Sequence, residues 1–255
     1  MSAASALAAL HAERIKLSTI RSPLWSALAA AVLSIGVAAL QGATAYGAAG
    51  LSPQRAAMGV AVFGVPILMV LAAMTVTGEY RTGMIRATFA AVPNRPLVLA
   101  AKAVVMAVCS AVFTAVLVVA AVAVARLAAD PLVGAGLSLA GSAVWRVVAA
   151  LALFAAVAAV LGVGVGALMR HAAGAVAVLL MWPLVVEPIV GNLPSIGPEI
   201  GPYLPFANAF LFADVQWLFP TYVMLWGPFG SLVYFTTVVV VIFIAATVVI
   251  VKRDA

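Results

Sequence analysis

Gly78-Glu79-Tyr80-Arg81-Thr82-Gly83-Met84-Ile85-Arg86 is a charged island between two long apolar runs. Residues 56–76 before it carry no Asp, Glu, Lys or Arg, and neither do residues 103–125 beyond it. About 20 apolar residues cross a roughly 30 Å hydrocarbon core as helix. The island therefore marks where the chain leaves one membrane span and enters the next. A spanning segment with no β-barrel alternation must be helical, because only a helix satisfies its own backbone in lipid. That reading makes the fold all-α and polytopic.

The rest of the chain agrees. It has 255 residues, 67% of them hydrophobic and 8% charged. Ordinary soluble domains are about 45–50% apolar, and a soluble helical bundle would show a polar face on most helices. Six spans are read at residues 24–40, 56–76, 97–125, 142–168, 172–190 and 229–251. Pro66 is expected to kink the second. Gly162, Gly164 and Gly166 thin the inner end of the fourth, which permits close helix approach. Residues 191–228 are rich in Pro, Gly and aromatics, with seven of the 14 prolines between Pro188 and Pro228. They are read as an outer region of re-entrant or interfacial helices, with Trp217, Tyr222 and Trp226 in a headgroup-level belt.

The net charge of +6 does not point to nucleic acid, because the cations sit in short clusters between apolar runs. Six spans put both termini on one side. Arg14, Lys16, Arg21, Arg81, Arg86, Arg95, Lys102, Arg170, Lys252 and Arg253 fall on that side, and Arg55, Arg126 and Arg146 on the other. The positive-inside rule places the larger group in the cytoplasm. Four of the seven acids, Asp130, Glu187, Glu199 and Asp214, fall on the opposite side.

Residues 1–22 read as an interfacial helix lying on the cytoplasmic face. Leu10, Leu17, Ile20 and Leu24 share an apolar arc that also contains Glu13, and Arg14, Lys16 and Arg21 meet anionic headgroups. An ordinary charged tail is the alternative. After Gly78, which breaks the second run, helical geometry puts Glu79, Thr82 and Arg86 on one face. Met84, Ile85, Thr88 and Phe89 form the other, with Arg81 intruding. Pro93-Asn94-Arg95-Pro96 then stops the helix. Residues 77–96 are thus either a short amphipathic surface helix or a loop that only sets topology.

Few other residues carry chemistry. Glu187 lies about 15 residues into the fifth span, roughly 22 Å from its cytoplasmic end at 1.5 Å per residue. An ionisable group there is a functional candidate, as an outer gate. The alternative is exposure to outer water through the Trp182-Pro183 and Glu187-Pro188 breaks. His11 and His171 are the two histidines, too few for a metal cluster, and neither is placed for a serine protease. Cys109, alone in an apolar run, is expected to be a small core residue. No Gly-x-x-x-x-Gly-Lys-[Ser/Thr] phosphate loop occurs, so the reading is of a chain that is not itself an ATP-hydrolysing enzyme.

Gly78 to Arg86, continuing through Ala91-Val92-Pro93-Asn94-Arg95 to Ala100-Ala101-Lys102, resembles the corresponding segment of actinobacterial ABC-2-type ABC transporter permeases. Glu13-Arg14-Ile15-Lys16-Leu17-Ser18-Thr19-Ile20-Arg21-Ser22-Pro23 is similar to the start of the same family, and the resemblance covers the whole chain. It implies one ABC-2-type transmembrane domain over 1–255: an N-terminal interfacial helix, six transmembrane helices, a cytoplasmic coupling helix after the second span and outer re-entrant helices between spans five and six. It implies a multi-pass protein of the cell membrane with both termini cytoplasmic, and an exporter built from two permease chains, identical or paralogous, and two ATPase subunits. The ATPase partner would bind ATP and Mg, with no cofactor in this chain. Glu79, Tyr80, Arg81, Thr82 and Arg86 would engage that partner. Ser34, Ser110 and Thr114 are the few polar groups within spans, so an apolar or amphipathic substrate is expected, such as a drug, antibiotic, lipid or peptide. An ATP-independent secondary transporter or channel is the alternative. It would normally carry paired intramembrane acids or bases. A membrane anchoring protein without transport is the third.

Overall fold

The computed structural model describes residues 3–19, 21–46, 50–215, 219–220 and 222–252. Ile20, Trp217 and Arg253, used in the sequence reading, lie outside the described residues. Every regular element among the described residues is helical. Six helices are long and apolar enough to cross a membrane. In chain order the main helices are α1 (Ala3–Thr19), α2 (Ser22–Ala43), α3 (Val60–Thr82), α4 (Met84–Ala91), α5 (Arg95–Ala128), α6 (Ser142–Met169), α7 (Ala172–Gly191), α8 (Pro205–Phe212) and α9 (Pro228–Lys252).

Helix α6 is the centre of the bundle, packed against α3, α5 and α9. Its glycines explain how close that packing is. A Cβ at Gly162 would overlap the carbonyl oxygen of Met69, and one at Gly166 would come within 2.7 Å of the carbonyl oxygen of Ala73. Both bare Cα atoms therefore let α3 lie directly on α6, as small residues do between membrane helices. Gly164 faces α9 instead, 3.5 Å from Phe243 Cα for the same construction. Helices α2, α7 and α9 are far less buried than α3 and α6 and leave many apolar side chains on the outside, as lipid-facing helices do.

Two π-helical turns interrupt the spans, at Val60–Gly64 in α3 and Trp182–Val186 in α7. Each adjoins prolines: Pro66 follows the first, Pro183 lies in the second and Pro188 follows it. A proline ring clashes with the carbonyl four residues back, and a wider turn relieves that clash. The prolines expected to break the fifth span are absorbed in this way, and α7 runs through to Gly191.

The expected break at Gly78 does not occur. Helix α3 continues to Thr82, and the chain turns at Gly83, whose φ of 73° is left-handed. That conformation favours glycine. Glu79 and Thr82 therefore end the second span and Arg86 belongs to α4, so the three do not share a surface helix. Of the apolar face read for this helix, Ile85 and Phe89 are buried, Thr88 is half-buried and Met84 is exposed. Asn94 caps α5 by accepting the Leu97 N–H at 3.1 Å, and the third span starts at Arg95.

Both described ends lie at the α4 end of the bundle. Arg95 Nη1 donates to the Ile250 carbonyl of α9 at 3.1 Å, and α1 packs on α5. The long connections meet at the opposite end, where Leu51 N–H reaches Val133 O at 3.0 Å and Gln54 Nε2 reaches Asp214 Oδ2 at 2.7 Å. There α8 is drawn into the bundle by edge-to-face ring contacts: Phe154–Phe210, Phe154–Phe235 and Phe206–Phe235, at 5.8, 5.7 and 5.4 Å. Cys109, expected in the core, is exposed on α5.

Candidate functional site

At the α4 end, four ionisable side chains from three helices meet. α1 turns Ala9 and Glu13 inward, with Lys16 one turn further on. α3 contributes Glu79 from its last turn, and α5 contributes Lys102 from its second. Lys102 Nζ lies 2.6 Å from Glu13 Oε2 and 2.8 Å from Glu79 Oε1. Lys16 Nζ lies 2.8 Å from Glu13 Oε1 and 2.8 Å from Glu79 Oε1. Thr88 of α4 joins the edge, accepting from Lys16 at 3.4 Å and donating to Glu79 Oε2 at 3.5 Å.

The electrostatics follow from burial. Glu13, Glu79 and Lys102 are 5%, 6% and 3% exposed. Taking one ion out of water costs several kcal/mol unless charges and hydrogen bonds replace the solvent. Here two carboxylates alternate with two ammonium groups, so the cluster is neutral and each charge touches two of opposite sign. Burial by itself would lower the pKa of the half-buried Lys16. The hydrogen bonds and charges of Glu13 and Glu79 outweigh that effect and hold it above 10.5.

Mechanically, the cluster is a knot. It joins the N-terminal helix to the second and third spans at the base of the projecting helix α4.

The sequence-read residues divide between this knot and the surface. Glu79 and Lys16 lie inside it, so Lys16 pairs with Glu13 and Glu79 where contact with headgroups was expected. Arg14, Arg21, Arg81, Thr82 and Arg86 are exposed. Tyr80 is half-buried, its ring 5.0 Å below the Arg170 guanidinium, which is a cation–π geometry. Arg95 stacks similarly over Phe89 at 5.2 Å, fixing α4 to the start of α5. Glu13 and Lys102 were not singled out from the sequence as site residues. Their signal was available: an acid inside the apolar arc of α1, and a cation already within a span.

Beside the knot, α1, α3 and α5 enclose a cleft of about 400 Å³. Leu17, Leu71, Met74, Val105 and Met106 form its walls, and Ser22, Pro23, Arg81 and Thr82 stand among its lining. Ser34, Ser110 and Thr114, expected to colour a substrate path, are buried between helices and do not line it.

At the other end Glu187 is fully buried. Its carboxylate accepts the N–H groups of Phe206 and Ala207 at 2.9 and 3.1 Å and the indole N–H of Trp182 at 2.8 Å. Phe206 and Ala207 open α8, so the carboxylate caps that helix, where free N–H groups and the helix dipole both favour an anion. The proline breaks do not expose it. Next to it Asn208, also fully buried, donates to Pro202 O and Leu204 O, both at 2.9 Å, and accepts from Trp226 at 2.7 Å. Among the described residues no three His, Cys, Asp or Glu side chains are grouped to hold a metal.

The fold and the site together define an all-helical protein with six helices fit to cross a membrane and a buried ionic knot under a short projecting helix. The chain belongs to the DUF2705 family of proteins of unknown function, which matches residues 26–255. No curated protein matches it.

Proposed function

We propose that this protein is the permease subunit of an ATP-driven ABC exporter, moving an apolar or amphipathic substrate out of the cell. The observation that carries the reading is α4 itself: a short helix between the second and third spans, projecting its exposed residues while its base is locked to three other helices. Transmitting a push across a protein interface needs such an element, and a loop that merely sets topology does not. The resemblance of residues 13–23 and 78–102 to ABC-2-type permeases supports the same reading.

In this mechanism a separate ATPase subunit binds ATP and Mg, and a second permease chain completes the unit. ATP favours the closed ATPase dimer, and that differential affinity is the energy source. Closure pushes on α4 through Met84 and Arg86. Glu79, Lys16, Glu13 and Lys102 pass the push to α3, α5 and α1. The α4 end is cytoplasmic in this reading, in keeping with the excess of Lys and Arg there, and the chain sits in the cell membrane. Residues 191–228 form the outer region.

The test is isolation of the full chain from its native membrane under mild detergent, followed by an ATPase assay and cross-linking from a cysteine at Met84→Cys. The expected result is a co-isolated ATP-hydrolysing subunit cross-linked through position 84. Isolation of the intact chain with no such subunit, after stabilisation by prior cross-linking in the membrane, overturns the proposal in favour of an ATP-independent transporter.

A further inference from the structure

We propose that the cleft between α1, α3 and α5 binds one anionic phospholipid, its phosphate at Arg81 and one acyl chain against Leu71, Met74 and Met106. This inference does not depend on the transporter reading.

Shape is the first argument. A volume of about 400 Å³ falls in the roughly 300–1,000 Å³ range of small-molecule sites. It takes one hydrocarbon chain and leaves the second among bulk lipid. The walls are Leu17, Leu71, Met74, Val105 and Met106, a chemistry suited to an acyl chain.

Charge is the second. Glu13 and Glu79 in the lining are matched by Lys16 and Lys102. Arg81 remains, exposed and outside the ionic knot, so the lining carries one surplus positive charge. A guanidinium binds phosphate oxygens in a bidentate fashion.

Depth is the third, and it selects a lipid over a soluble anion. α2 begins at Ser22 and immediately exposes Leu24 and Trp25, at 69% and 66%. Exposed tryptophan at the start of a span marks the headgroup level. Ser22 and Pro23 line the same cleft, so its polar part opens at that level. Met74 and Leu71 are seven and ten residues from Arg81 along α3, about 10 and 15 Å deeper at 1.5 Å per residue. Phosphate at the interface and chain in the hydrocarbon is the natural posture of a bilayer lipid. Occupied, the cleft would be filled beside the knot, shielding its charges from water.

The experiment uses the purified full chain in neutral detergent. Retention of phosphatidylglycerol, of phosphatidylcholine with identical chains and of glycerol 3-phosphate is measured by native mass spectrometry. Phosphatidylglycerol should be retained about tenfold better than phosphatidylcholine, because choline adds a cation beside a lining that already carries one surplus positive charge, and glycerol 3-phosphate should not be retained. Arg81→Gln, an exposed change that leaves the fold intact, should remove the preference. Met74→Trp, which fills the cleft, should reduce retention of both lipids. Equal retention of the two lipids, an unchanged preference in Arg81→Gln, or retention of glycerol 3-phosphate comparable to the lipid would each overturn the proposal.

Discussion

Lys102 Nζ sits 2.8 Å from Glu79 Oε1, a contact that spans 23 residues and bridges the turn between the second and third spans. Both side chains are almost fully buried. Neither could be kept charged there alone, and each supplies what the other lost on leaving water. Lys102→Met should therefore be destabilising, by about 3–5 kcal/mol, because it leaves two buried carboxylates with Lys16 as their shared counter-charge. The double variant Glu79→Gln with Lys102→Met should regain part of that loss. Thermal unfolding in detergent measures both, and additive effects in the double variant would show that the two side chains are not coupled.

A second prediction concerns pH. Lys16 has its folded pKa raised above 10.5 by Glu13 and Glu79. Its stabilising contribution is complete below about 10.5 and is lost as pH rises through the folded value. α1 should therefore loosen from the bundle only under strongly alkaline conditions, seen as reduced hydrogen-exchange protection of residues 3–19 relative to the spans. Lys16→Met should remove that alkaline step. An identical step in the variant would assign it to another group.

Much of the bundle was legible in the sequence, and the reasons are physical. Charge-free runs of span length have few other readings, so five of the six apolar helices begin and end within three residues of the runs read, while the second runs six residues further, to Thr82. The knot was not legible, because it depends on which helices touch. Glu79 near Arg86 looked like one polar face only under the assumption that Gly78 ends the helix. Helical propensity cannot decide between Gly78 and Gly83, since both cost about the same in a helix interior. The lysines decide it, by making a continued helix through Glu79 favourable. The prolines of α7 misled for a related reason: a π-helical turn absorbs them, and nothing in the local composition distinguishes an absorbed proline from a break.

The glycines of α6 make a third prediction sharp, because they differ in what surrounds them. Gly162→Ala and Gly166→Ala should each cost about 1–3 kcal/mol, the usual cost of overpacking, since the new Cβ meets backbone carbonyls of α3 that cannot move aside. Gly164→Ala meets only ordinary contact distances against α9 and should be close to neutral. Melting temperatures of the three variants, measured side by side, give the comparison. Equal losses at all three would contradict the packing described for α3 on α6.

Glu187 supports a fourth. Its two oxygens take up the first N–H groups of α8 and the Trp182 indole. Glu187→Ala leaves those buried donors without an acceptor, at about 1–3 kcal/mol or more. Glu187→Gln keeps one acceptor and should fall between. Limited proteolysis should show residues 205–212 opening in the alanine variant before the spans unfold. If the region stays protected in Glu187→Ala, the carboxylate is not what holds α8 in place.

The last prediction separates the surface of α4 from its base, and so tests the proposed coupling in a way that stability alone cannot. Met84 is 45% exposed and Arg86 is exposed beside it, with neither engaged in the knot. Met84→Asp and Arg86→Ala should leave the melting temperature of the isolated chain nearly unchanged, as surface substitutions usually do, yet weaken capture of an ATPase partner. Glu79→Gln should do the reverse. It keeps the surface that a partner meets, but it removes the charge that ties α3 to α1 and α5, so the partner should still bind while its ATP hydrolysis no longer drives transport at the normal ratio. Binding, hydrolysis and transport measured together in reconstituted vesicles distinguish the two classes. Normal coupling in Glu79→Gln would mean that force reaches the spans by another route, through the helix backbone at Gly83 or the Arg95–Phe89 stack. Loss of partner capture in Glu79→Gln with no change in Met84→Asp would place the docking surface on α1 instead of α4.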